Sequence, residues 1–95
     1  MDLKPQQLEQ VRNILQQHVP EAKVYAFGSR VKRTAKVHSD LDLVVVGEAE
    51  IPLGRMHLLE EAFAESELPF RVDVLDWHAI SAEFREQIAA CCELL

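Results

Sequence analysis

The chain has no apolar run approaching the ~18–20 residues that a membrane-spanning helix requires. Its start, Met1-Asp2-Leu3-Lys4-Pro5, lacks the charged-then-apolar pattern of a secretory signal. A cytoplasmic protein with no membrane association is expected. Cysteine is scarce, and Cys91 and Cys92 are adjacent. Neighbours in sequence are a poor geometry for a disulfide, and no CxxC or Cys/His spacing suggests zinc. Both read as small apolar helix residues. Positive charge is in deficit: ten basic residues stand against sixteen acidic ones, a net charge of −6. That argues against a dedicated nucleic-acid binder, which needs a basic face. There is no internal repeat, linker or low-complexity tract. With 95 residues, one domain over 1–95 is expected, burying roughly 60–65% of its unfolded surface around one modest core.

What is present reads as a small α/β sheet. Residues 5–18 suit a helix, with Pro5 in the first turn and Leu8, Val11, Ile14, Leu15 and His18 at helical spacing, stopped by Pro20. Residues 23–27 form a first strand, Gly28-Ser29 a turn, and residues 29–35 a short helix or loop. Residues 40–46 form a second strand, ended by Gly47. Both strands are apolar enough to be central. Residues 53–66 form an amphipathic helix with Met56, Leu59 and Phe63 on one face. After Pro69 a third strand covers residues 70–75. Asp76 or Ser81 suits the cap of a last helix carrying Ile80, Phe84, Ile88, Cys91, Cys92 and Leu95 on one side. The order is α-β-(α)-β-α-β-α, an α/β (α+β) fold with a mixed sheet of at least three strands and flanking helices.

The second strand opens on two aspartates, in Ser39-Asp40-Leu41-Asp42-Leu43-Val44-Val45-Val46. Positions i and i+2 of a strand share a face, roughly 6–7 Å apart. At about 4 Å and an effective dielectric near 20, two carboxylates repel by roughly 4 kcal/mol, and a cation is the usual remedy. Asp73, between Val72 and Val74, joins them if the third strand lies beside the second. Mg²⁺ takes oxygen ligands and binds through one or two carboxylates plus substrate phosphates. Two such ions serve an in-line displacement. Asp40 and Asp42 then hold the metals, while Asp73 completes one site and accepts the proton of an incoming hydroxyl. Gly28 lets the backbone approach a phosphate, and Ser29 adds a hydroxyl and an N–H. Between residues 22 and 39 there is no acid, but Lys23, Arg30, Lys32, Arg33 and Lys36 are present. Any of the last four suits the charge of a leaving pyrophosphate. An anion-attracting segment abutting a cation-attracting one fits Mg-nucleotide better than a bare polyanion. His38 reads as a surface residue, and Trp77 as a core anchor or a partner contact.

Gly28-Ser29, a spacer, then Ser39-Asp40-Leu41-Asp42-Leu43, with Asp73 in Val-Asp-Val, resembles the signature of the polymerase-β-type nucleotidyltransferase superfamily. The small size resembles its minimal, MNT-type branch, and the likeness runs from roughly residue 8 to the end. The resemblance implies Asp40, Asp42 and Asp73 as catalytic and metal-holding residues. It implies Gly28 and Ser29, with Arg30 and Arg33, as nucleotide contacts. It further implies transfer of a nucleoside monophosphate, usually AMP from ATP, with Mg²⁺ (two ions) and release of pyrophosphate. Some members of the branch are antitoxins of HEPN toxins and modify a tyrosine hydroxyl of the toxin. Others pair with a helical protein called a substrate-binding subunit. The family usually has a glycine about five residues after Gly-Ser, where this chain has Arg33. At positive φ arginine costs about 1 kcal/mol or more, so either the loop differs or Arg33 supplies a phosphate contact.

Three functions follow. The first is a nucleotidyltransferase that modifies a helical HEPN-type partner as its antitoxin. The second is a weakly catalytic or non-catalytic binding subunit of a helical partner. The third is transfer to a small molecule. A chain this short leaves little surface to enclose both base and acceptor, so a partner or a second copy, in a homo- or hetero-oligomer, is expected to complete the cleft.

Overall fold

The computed structural model describes residues 2–32 and 39–95. The chain runs through α1 (Pro5–His18), β1 (Lys23–Phe27), β2 (Leu41–Val46), α2 (Leu53–Ala64), β3 (Val72–Asp76), a 3₁₀ turn (Trp77–Ala79), α3 (Ala82–Ala90) and β4 (Cys92–Leu94). The strands form one mixed sheet in the order β3-β2-β1-β4. β1 pairs antiparallel with β2 and β4, whereas β2 and β3 are parallel, joined by the α2 crossover. The two expected central strands are central.

Alternation along the strands divides the molecule into two faces. Val24, Ala26, Leu41, Leu43, Val45 and Val74 point to one of them. There they meet Val11 and Leu15 of α1 and Met56, Leu59 and Phe63 of α2, forming the core. Leu41, Leu43, Val45 and Leu59 are wholly buried, each worth about 1.5–3 kcal/mol relative to exposure. Pro5 opens α1, and the Gln7 Oε1 atom accepts the Lys4 N–H at 3.0 Å. The second face bears Tyr25, Phe27, Asp42, Val44, Asp73 and Leu75. It is covered only in part, by α3 through Ile88 and Phe84. The acids therefore lie on the less covered side.

One expectation is corrected. The last helix stops at Ala90, and residues 92–94 form a fourth strand that pairs Cys92 with Phe27, while the Leu95 N–H donates to the Val24 carbonyl at 2.9 Å. The free edge of β1 offers backbone partners that outweigh a helical spacing of apolar residues. Cys91, Cys92 and Leu95 are thus not on a helix, and Ile80 precedes it. Residues 29–35 are expected as a short helix or loop. Their described part is one turn, in which the Lys32 N–H donates to the Gly28 carbonyl at 3.0 Å. Arg33, Lys36 and His38 lie outside the described residues.

Ser81 caps α3, its Oγ accepting the Phe84 N–H at 3.1 Å. Asp76 has another task. It is 6% exposed, and its carboxylate accepts the Ile51 N–H at 2.6 Å and the His78 N–H at 2.9 Å. Asp76→Ala leaves the buried Ile51 N–H without its acceptor and is expected to cost about 2–3 kcal/mol. Asp76→Asn retains one acceptor oxygen and costs less. Urea titrations of the three proteins measure the order. Among the described residues no helix is long and apolar enough to cross a membrane.

Candidate active site

Directly after β1 comes Gly28, whose φ of +81° lies where side chains are strained. The position is closed to a side chain for a second reason. A β-carbon built there collides with Asp42 Oδ2. The Gly-Ser turn and the second aspartate are therefore in direct contact, which explains glycine here chemically as well as conformationally. Ser29 follows, half-buried.

Arg30, expected from the sequence as a nucleotide contact, has its guanidinium engaged by backbone carbonyls within the fold. It is 6% exposed. Its Nε and Nη2 donate to the Ser39 carbonyl at 3.1 and 2.8 Å, and its Nη1 to the Asp2 carbonyl at 2.6 Å. The guanidinium lies 4.2 Å over the Phe70 ring. A planar fork with five donors can join two carbonyls while stacking, and lysine cannot. Arg30 is a clasp that fixes the residue immediately before Asp40. From the other side, the Leu41 N–H donates to the Arg71 carbonyl at 2.9 Å. Asp40, just outside β2, is held between the two anchors.

The register then assembles the acids. Asp42 is opposite Phe27 on β1 and opposite Asp73 on β3. Neighbouring strands lie about 4.7–4.9 Å apart, so the sheet itself sets two carboxylates side by side, with Asp40 two residues before one of them. Burial pushes the Asp42 carboxyl above its ordinary value, and the negative charges of Asp73 and Asp40 push it further. Arg71, 75% exposed, donates Nε and Nη2 to Asp73 Oδ1 at 3.0 and 2.8 Å. Its own pKa rises, chiefly through that hydrogen bond and secondarily through the Asp73 and Asp40 charges.

The acids open onto a cleft of about 840 Å³ that follows the free edge of β3 between the end of α2 and the start of α3. Among its lining residues are Asp42, Asp73, Arg71, Phe27, Phe70 and Phe84. Among the described residues no three His, Cys, Asp or Glu side chains stand gathered as a finished metal site. The donor chemistry still fits a hard cation. The candidate ligands are all carboxylate oxygens, and Asp42 carries an excess of negative charge around it.

Asp42 supplies a test of that crowding. Its raised pKa means that the folded chain holds this proton to higher pH than the unfolded chain does. The proton favours the folded state at acid pH, and that advantage is lost as pH rises through the raised value. At neutral pH the ionised Asp42 is a net cost. Asp42→Asn, in chelator, is expected to gain about 0.5–1 kcal/mol at pH 7.5, a Tm rise of about 2–8 °C. The gain fades as the pH is lowered below the ordinary carboxylate range. Thermal melts at several pH values measure it.

Sequence reading missed Arg71 and the aromatic residues of the cleft. The spacing of Arg71 and Asp73, two apart in a strand, was a usable signal. Sequence spacing places Phe84 only on an apolar helix face.

Residues 9–95 match the family described as "Polymerase beta, Nucleotidyltransferase". The Haemophilus influenzae protein named "Probable protein adenylyltransferase MntA" is 51% identical over 88 residues, covering 93% of this chain and 77% of that protein. A crystal structure of a toxin-antitoxin with AMP-PNP superposes with a TM-score of 0.78 at 23% identity, over 90% of this chain and 69% of the other. A second structure, of a tri-AMPylated Shewanella oneidensis HEPN toxin in complex with MNT antitoxin, matches with a TM-score of 0.70 at 23% identity, over 94% and 70% of the two chains. At these identities the two structures bear on the fold.

Proposed function

The chain belongs to the polymerase beta nucleotidyltransferase family, and from that premise we propose that residues 1–95 act in the cytoplasm as one minimal adenylyltransferase domain, the antitoxin of a toxin-antitoxin pair. It moves AMP from ATP to a tyrosine hydroxyl of a helical HEPN-type partner. The observation that carries this reading is the pairing of Asp42 with Asp73 in register, with Gly28 pressed against Asp42. The 51% identity to a protein named as a protein adenylyltransferase supports the choice of a protein acceptor.

In this reading Gly28 and Ser29 bring backbone and hydroxyl to the phosphates, at a place where any larger residue than glycine would displace Asp42. Asp40, Asp42 and Asp73 would hold Mg²⁺. When bound, the ion supplies a positive charge that stabilises the phosphoryl oxygens during displacement. The acceptor oxygen forms its bond to the α-phosphorus while the bond from that phosphorus to the bridging oxygen breaks, and pyrophosphate leaves with the electron pair. Asp73 takes the hydroxyl proton. Arg71 holds one oxygen of Asp73 and so fixes the direction in which the other is presented.

The test uses the purified chain, Mg²⁺ and ATP labelled on the α-phosphate, incubated with lysate of the source cell. A labelled protein carrying AMP on a hydroxyl side chain is expected, and mass spectrometry identifies both. Nucleotide binding without any labelled protein overturns protein adenylylation and leaves a binding subunit or a small acceptor.

A further inference from the structure

The cleft beside the acids has an aromatic wall that the reading above does not use. Phe27, Asp42 and Asp73 form one lateral row across β1, β2 and β3 on the same face. Over the first member of that row stands Phe84, its ring edge-on to Phe27 with centroids 6.0 Å apart and an interplanar angle of 89°. Both rings line the cleft together with the two carboxylates. Phe84 is 38% exposed, whereas the core aromatic Phe63 is 4% exposed. Its backbone N–H is engaged at the α3 cap, so the start of the helix is fixed and the ring stands at the mouth of the cleft.

We infer that Phe84, braced by Phe27, is the acceptor-specificity residue, forming the wall against which the ring of an acceptor tyrosine rests while its hydroxyl meets Asp73. The inference rests on the proposed transfer to a protein hydroxyl. A cleft with carboxylates at one end and an apolar aromatic side matches the two ends of a phenol: a proton to give and a ring to bury. Edge-to-face packing adds to the area buried. An adenine ring resting here would instead tie Phe84 to ATP binding, and the experiment below separates the two occupants. A serine acceptor has no ring for the wall to hold, so Phe84 favours tyrosine over serine.

The experiment uses the protein that becomes labelled in the transfer assay, together with its variant bearing serine at the labelled position. Phe84→Ala is expected to raise KM for the tyrosine acceptor about tenfold. It should narrow the preference for tyrosine over serine, and leave kcat and the ATP dissociation constant within about twofold. Phe84→Tyr is expected to restore KM. If the alanine variant does not fold, Phe84→Leu, which keeps the apolar bulk without the ring, decides by the same split. An unchanged acceptor KM overturns the inference, as does weakened ATP binding, which would place the base on this wall. A wild-type chain that labels no protein overturns the proposed function, and this inference with it. A wild type that labels tyrosine while Phe84→Ala behaves identically overturns the inference alone.

Discussion

Asp42→Ala is expected to lower nucleotidyl transfer at least about a thousandfold, equivalent to about 4 kcal/mol of lost transition-state stabilisation, while the chain stays folded. The reason is position. Asp42 lies against Gly28 through its Oδ2, opposite Asp73 by register and two residues after Asp40, and it senses the charge of both other acids. Removing it takes away one of the three proposed metal ligands and the side chain that Gly28 abuts. The backbone of β2 stays satisfied, because Leu41 and Leu43 carry the core packing on the opposite face. Single-turnover transfer of labelled AMP gives the rate, and circular dichroism gives the fold. If a cognate toxin is neutralised by the wild type through modification, neutralisation disappears with the label. A folded Asp42→Ala chain that still neutralises fully means that binding alone suffices.

Arg30→Ala is expected to be the most destabilising single change near the site, by about 3 kcal/mol or more, with a fall in Tm of about 12–24 °C. The guanidinium is buried and serves two carbonyls, those of Ser39 and Asp2, while covering the Phe70 ring. Each abandoned carbonyl loses its donor in a place poor in water. Arg30→Lys keeps the charge and is still expected to lose most of the stability, since an ammonium cannot reach both carbonyls in one plane. A phosphate-contact role predicts the opposite pattern, with a stable protein, weaker ATP binding and partial rescue by lysine. Denaturant melts alongside ATP titration separate the two.

Arg30 also shows where reading residues in order stops being informative. A basic side chain next to Gly-Ser and twelve or fewer residues from an acid pair looks like an anion contact. Only the path of the chain reveals that Phe70 and Asp2 come to it from far away in sequence. The central strands and the acid pair were legible because they depend on local alternation: Val24 and Ala26, or Leu41 and Leu43, announce a face by themselves. The pairing of Asp73 with Asp42 was legible only conditionally, on β3 lying beside β2, which it does. β4 was hidden for the same reason as Arg30. Cys91, Cys92 and Leu95 fit a helical stripe by spacing, and nothing local reports that β1 has an edge needing hydrogen-bond partners. Asp76 reads from the sequence as a helix cap, but its service to Ile51, 25 residues earlier, is a fact of tertiary structure.

The parallel pairing of β2 with β3 has a consequence in time. Antiparallel strands can zip from a tight turn, but parallel strands meet only after an intervening crossover has closed. Helical segments organise within about a microsecond, while pairing across long stretches of chain is slower. Asp42 and Asp73 therefore become neighbours only when α2 has docked and β3 has found its place. The acid pair is thus expected to assemble late in folding, after the helices and other local structure.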